Sequence, residues 1–247
     1  MSHDLSASTV RIAGHGGDEI EAYLAAPTDV QSFGGVVMIH HMPGYDDATR
    51  AMARNLADRG FAAIVPNLYS REAPGASSDD AAAIARARGG VPDDRLVGDV
   101  DGAASYLRAL AGSNRKVGVI GHCSGGRQAF LAACSLQLDA AVDCYGAFVV
   151  GSPPPESGLT MTPVVDLAPS LSCPLLGLFG VEDKHPSPDD VDELDKALTA
   201  SGKSHEFHSF DDAGHGFFAV DRPSYRVAAA NEGWRHIFDF YGRHLAS

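Results

Sequence analysis

The chain has 247 residues, 45% of them hydrophobic and 21% charged, which suits a folded protein and excludes a disordered one. Its formal charge of −13 opposes long-range attraction to phosphate backbones, so nucleic acid is not an expected partner. No apolar run approaches the roughly 20 residues that cross a bilayer, so no membrane association is expected.

The start, Met1-Ser2-His3-Asp4, lacks the basic and apolar regions of a signal peptide, so a cytoplasmic location is expected. Cys123, Cys134, Cys144 and Cys173 form no CxxC pair, and the expectation is reduced thiols without a zinc or disulfide framework.

In chain order, Glu19–Ala26 alternates like an edge strand, and Gly35–His40 reads as a buried one. Arg50–Arg59 has helical spacing and is closed by Gly60. Phe61–Val65 is a further strand. Residues 67–92, broken by Pro74-Gly75 and Gly89-Gly90, read as an irregular pocket wall. Asp93–Ala111 is helical, Lys116–Ile120 a strand and 124–136 a helix. Strands Ala140–Tyr145 and Pro174–Phe179 flank a second pocket-wall loop, 151–173. A helix over Pro188–Ala200, a strand over His205–Phe210 and a helix over Ser224–Leu245 complete the chain, the last presenting Trp234, Ile237, Phe238 and Tyr241 to the core. This alternation predicts one α/β domain over 1–247, with a mostly parallel central sheet covered by helices on both faces. Right-handed crossovers then place functional loops at the carboxyl ends of the strands.

One such end reads Gly121-His122-Cys123-Ser124-Gly125-Gly126, a strand running into G-x-C-x-G and then a helix. A nucleophile elbow needs small residues two positions either side of the strained central residue. Centring on Cys123 puts Gly121 and Gly125 there, whereas centring on Ser124 would put His122 at a position requiring a small residue. The helix beyond stabilises negative charge on the sulfur, and the Ser124 amide points at a developing oxyanion.

A thiol nucleophile needs a base and an orienting carboxylate, in the chain order nucleophile, acid, histidine. His215, between glycines after the strand ending at Phe210, is the candidate base. Glu182 and Asp183, after the strand ending at Phe179, are both candidate acids. The Met42 amide, after the early strand, is the second oxyanion donor. His40 and His41 are adjacent at a strand end and point apart, so no metal and no other cofactor is expected.

These residues resemble the dienelactone hydrolase family, α/β-hydrolases whose nucleophile is a cysteine in this elbow. The resemblance runs from about residue 10 to 245. It rests on Asn67-Leu68-Tyr69-Ser70-Arg71-Glu72-Ala73-Pro74-Gly75, on the elbow, on Tyr145-Gly146, on Gly180–Asp183, and on Ala213-Gly214-His215-Gly216-Phe217. It implies a three-layer sandwich, the triad Cys123, Asp183 and His215, and oxyanion amides from Met42 and Ser124. It selects Asp183 over Glu182. Where characterised members carry a glutamate that interacts with the resting thiol, His41 stands, which would pair Cys123 with two imidazoles. Members hold a substrate carboxylate with two arginines. Arg86 has the spacing of one, while the other position reads Ala219 with Arg222 three residues on. His41, Arg86, Tyr145 and Arg222 are therefore the expected substrate contacts.

The expected function is hydrolysis of a small-molecule ester or lactone through a thioester. The alternatives are hydrolysis of other electrophiles such as phosphotriesters, and a non-enzymatic thiol sensor.

Overall fold

Eight strands form one sheet in the computed structural model, which describes residues 2–42, 44–157 and 159–246. They are β1 (Leu5–Ala13), β2 (Glu19–Pro27), β3 (Phe33–Ile39), β4 (Ala62–Pro66), β5 (Ser113–His122), β6 (Ala140–Cys144), β7 (Leu175–Gly180) and β8 (His205–Phe210). The helices are α1 (Asp47–Asp58), α2 (Ser78–Ala87), α3 (Asp93–Ala109), α4 (Ser124–Ser135), α5 (Pro188–Ala200) and α6 (Val227–His244). The strand order is β1-β2-β4-β3-β5-β6-β7-β8. β1 and β2 are antiparallel additions, and the remaining pairs are parallel.

Buried side chains divide between the two faces of this sheet. One face packs Leu56 and Ala57 of α1 with Ile237, Phe240 and Tyr241 of α6. The other packs Leu96 and Val100 of α3, Phe130 of α4 and Leu194 of α5. β3, β6 and β7 are buried along their whole length, as expected of parallel strands covered on both sides. Tyr241 adds a polar tie from α6 to the sheet, its hydroxyl donating to Val119 O at 2.9 Å.

The helix ends explain several boundaries. Asp46 caps α1 by accepting from Thr49 N, which starts the helix three residues before the apolar pattern suggested. At its end Gly60, at φ +89°, donates to Ala57 O while Phe61 donates to Leu56 O, a Schellman closure.

Two expectations need correction. β1 was not anticipated: its residues, LSASTVRIA, are mostly exposed, and an edge strand wet on one face shows little apolar signal. Residues 67–92 are not irregular throughout, because α2 occupies Ser78–Ala87. Ser77 caps it by accepting from Asp80 N, so the flanking breakers bound a helix rather than interrupt one. The 151–173 segment, in which Gly158 lies outside the described residues, also carries a 3₁₀ stretch at Val165–Ser170. On α6, which begins at Val227 rather than Ser224, Ile237 and Tyr241 are buried as expected. Trp234 and Phe238 are only partly buried and stack on each other at 5.3 Å.

Arg127, at the start of α4, is fully buried. Its guanidinium donates to both oxygens of Asp93 at 2.8 and 2.9 Å and to Thr162 O at 2.7 Å. It thereby ties α3 and the 151–173 segment to the elbow helix. Asp93 is 39% exposed, but removing it leaves the buried guanidinium without its counter-charge. Asp93→Ala should therefore lower unfolding stability by about 2 kcal/mol, read as a drop in the urea midpoint at unchanged slope. A midpoint within error of the parent would refute the tie.

Candidate active site

Successive strands deliver their following loops to one edge of the sheet. β3 and β5 are neighbours, but the chain leaves them in opposite directions, to β4 on one side and β6 on the other. That switch point opens a crevice at the strand ends. Cys123 follows β5 there at φ +58° and ψ −124°, a conformation that side chains rarely adopt.

The glycines around it are dictated by contact. A Cβ at Gly121 would sit 1.8 Å from Gly125 O, and one at Gly125 would sit 2.6 Å from Ile39 O. Cys123 N donates to Cys144 O at 3.0 Å, and Gly126 N to Cys123 O at 2.9 Å, which fixes the bend. The turn is therefore built to project one side chain from the strand end.

His215 Nδ1 lies 2.8 Å from Asp183 Oδ2. Asp183 is buried, and its other oxygen accepts from His185 N at 2.9 Å, so the carboxylate is held from both sides. Burial pulls His215 down. The hydrogen bond to Asp183, with the charges of Asp183 and the neighbouring Cys123, more than offsets it and raises the imidazole to about 10. Carboxylate and imidazole thus form a pair, and the Cys123 sulfur shares the cavity wall with the ring. Glu182, the alternative acid, is exposed.

Cys123 and His215 open onto a cavity of about 220 Å³. Its walls include Met42, Ala48, Met52 and Ala219, with His41, His122 and Arg222 as the principal polar side chains. The other three cysteines lie elsewhere in the packing, and burial pushes the thiols of Cys134 and Cys173 up to about 12. Among the described residues, no group of three His, Cys, Asp or Glu side chains is placed to hold a metal ion.

Residues 20–245 match the model of the dienelactone hydrolase family. The chain belongs to the dienelactone hydrolase family. A provisionally named carboxymethylenebutenolidase of Escherichia coli (strain K12) is 34% identical over 230 residues, 91% of this chain and 83% of that protein. The carboxymethylenebutenolidase of Rhodococcus opacus is 27% identical over 226 residues, 90% of this chain and 86% of that one. A crystal structure described as a provisional dienelactone hydrolase from Klebsiella pneumoniae subsp. pneumoniae superposes with a TM-score of 0.86 at 28% identity. That match covers 98% of this chain and all of the other. A dienelactone hydrolase-like promiscuous phosphotriesterase from metagenomic libraries shares the fold, with a TM-score of 0.76 at 18% identity over 98% and 99% of the two chains. The protein is thus a hydrolase with the α/β-hydrolase fold.

Around this dienelactone hydrolase family site the loop after β3 is shaped by His40. Its Nδ1 lies 3.0 Å from His41 O, and Leu68 N donates to its Nε2 at 3.2 Å. A carbonyl only accepts and an amide only donates, so the ring is neutral with its proton on Nδ1. Burial pushes it down to about 4, which keeps it neutral. Gly44, at φ +58°, closes against this ring: a Cβ there would meet His41 O at 1.8 Å. Pro43, in the same loop, lies outside the described residues. Met42 lines the cavity, and Ser124 is the first residue of α4, where an amide has no acceptor within the helix.

The expected substrate contacts separate. Arg222 and Tyr145 line the cavity. Tyr145, at φ +43°, sets its ring 5.2 Å from that of His215. Arg86, on α2, is not among the residues lining it; its guanidinium rests on the sulfur of Met42, which does line it, at 3.2 and 3.3 Å. His41 lines the cavity but turns Nε2 toward Asp46, 3.5 Å away. Burial lowers its pKa while the Asp46 charge opposes this. Both His41 and His215 share the cavity wall with Cys123.

Sequence reasoning passed over His122 and Asp46. His122 is a buried cavity-lining imidazole, pushed down to about 3 by burial, whose place beside the elbow cysteine was visible in the motif. Asp46 acts through an α1 cap that the helix reading had placed too late.

Proposed function

We propose that the protein hydrolyses small carboxylic esters or lactones with Cys123 as nucleophile. The observation that carries this reading is the 2.8 Å contact between Asp183 and His215, set in the same cavity wall as a sulfur held at positive φ. The sulfur, as thiolate, attacks the carbonyl carbon, a C–S bond forms, and the carbonyl electron pair moves onto oxygen. Amides of Ser124 and Met42 receive that oxyanion. Collapse expels the alkoxide, which takes the proton from His215, leaving a thioester and a neutral imidazole. His215 then removes a proton from water, the hydroxide attacks the thioester, and the thiolate leaves as the acid forms. Arg222 and His41 supply polar contacts to the acid portion of the substrate, while Met42 and Met52 pack its apolar part.

The test is a panel of p-nitrophenyl acetate, a five-membered lactone, a dienelactone and paraoxon, before and after alkylation with iodoacetamide. Turnover of esters or lactones, lost in step with carbamidomethylation of Cys123, is expected. Hydrolysis that survives full modification of Cys123 would remove the sulfur from the reaction. Paraoxon turned over faster than every carboxylic ester and lactone would favour the phosphotriester reading.

A further inference from the structure

A second cleft, of about 230 Å³, shares no lining residue with the Cys123 cavity. It lies between β1, β2, the start of α1 and the segment after β4, and Arg11, Glu21, Tyr45, Arg50, Asn67 and Ser70 face it. The Asn67–Gly75 segment singled out in the sequence borders this cleft rather than the cavity of the triad.

Its polar groups are incompletely partnered. Tyr45 Oη, Arg50 Nε and Ser70 Oγ are buried and have no hydrogen-bond partner among the described residues. Tyr45 is 7% exposed, and Glu21 and Arg50 are its polar neighbours in the cleft. Three of the ten such atoms among the described residues belong to residues lining this one cleft, whereas buried polar groups are as a rule satisfied. Arg50 is held over the Tyr45 ring at 4.8 Å, and its nearest carboxylate, on the fully exposed Asp47, is 3.7 Å away. Arg11 stands opposite Glu21 in the β1–β2 register and forms no ion pair among the described residues. Asn67 uses its side-chain oxygen to accept from Tyr69 N, which leaves its amino group as a donor.

The donors thus include two guanidiniums, the phenols of Tyr45 and Tyr69, the Ser70 hydroxyl and a carboxamide, and Glu21 is the one carboxylate among the lining residues. Guanidiniums and hydroxyls in this arrangement match a carboxylate, and the single carboxylate beside them accepts from a hydroxyl on the same ligand. We infer that this cleft is a binding site for a small hydroxycarboxylate, separate from the catalytic cavity. Arg11, Arg50, Tyr45 and Ser70 take the acid group, and Glu21 takes the hydroxyl.

The test titrates the full chain with 4-hydroxybutyrate, butyrate and inorganic phosphate, following backbone amide resonances. Saturable shifts at Tyr45 and Ser70 are expected with 4-hydroxybutyrate, and butyrate should bind about tenfold more weakly for want of the hydroxyl bond. Tyr45→Phe, which removes one oxygen from the site, and Arg50→Met should each weaken binding about tenfold or more. Tyr45→Phe should leave ester hydrolysis unchanged, which separates this site from the catalytic one. Glu21→Gln should erase the preference over butyrate. Shifts confined to the Cys123 cavity, no saturation, or equal affinity in Tyr45→Phe and Arg50→Met would overturn the site. Tighter binding of phosphate would overturn the ligand class.

Discussion

Replacing Cys123 with alanine should lower kcat/KM for p-nitrophenyl acetate by roughly 10⁴-fold or more, the scale seen when a nucleophile is removed from a triad. The residual rate then comes from binding and the oxyanion amides alone. The same position predicts an unusual companion result. A non-glycine residue at φ +58° carries backbone strain on the order of 1–3 kcal/mol, held in place by the contacts of Gly121 and Gly125. Cys123→Gly removes the offending Cβ, although glycine also gains freedom in the unfolded chain. The glycine variant should thus be equally inactive, with an unfolding midpoint at or above that of the parent. Loss of activity together with a large loss of stability would show a cysteine that serves packing rather than chemistry. Retained turnover in Cys123→Ala would dismiss the nucleophile outright.

How far the site could be read from the sequence depends on how local its determinants are. The elbow was legible because much of its requirement is local: a side chain at Gly121 would strike the backbone of Gly125 four residues on, so the motif itself encodes that clash, while Gly125 is kept small by the end of β3. His215 was legible because the loop after β8 sets it between glycines at a strand end. Asp183 and Glu182 could not be told apart by spacing, since adjacent residues of one turn differ only in which faces inward. The family resemblance chose Asp183, and burial agrees.

The direction of Arg86 is less local. Its position along the chain suited a substrate contact, but its direction depends on α2, a helix whose alanine-rich core looked like loop between two glycine-containing breaks. The second cleft was illegible for a related reason. It joins Arg11 on an unanticipated edge strand to Ser70, which lies beyond β4, and no pattern within either segment marks the encounter.

Asp183→Asn should cost roughly 10⁴-fold in kcat while leaving the fold intact, and the hydrogen-bond pattern explains why. Asp183 Oδ1 accepts from His185 N, so an asparagine must keep its carbonyl oxygen on that side. Its NH₂ then faces His215 Nδ1, where an oxygen now lies at 2.8 Å. Nδ1 must become an acceptor, which moves the ring proton to Nε2, the nitrogen that has to receive protons from water. The neutral ring is left in the wrong tautomer for general-base work, although every heavy atom stays near its place. Against the opposing pull of burial, the Asp183 hydrogen bond and charge also act with the nearby Cys123 to raise His215 to about 10. Without them its titration shifts to lower pH, so the ring loses its proton earlier as pH rises. Following the His215 ring proton by NMR against pH should show this downward shift in Asp183→Asn. Kinetics alone would not separate a tautomer change from a displaced ring. A variant that kept more than a tenth of parental kcat, or a His215 titration that did not move, would mean that Asp183 positions the loop after β7 without governing the imidazole.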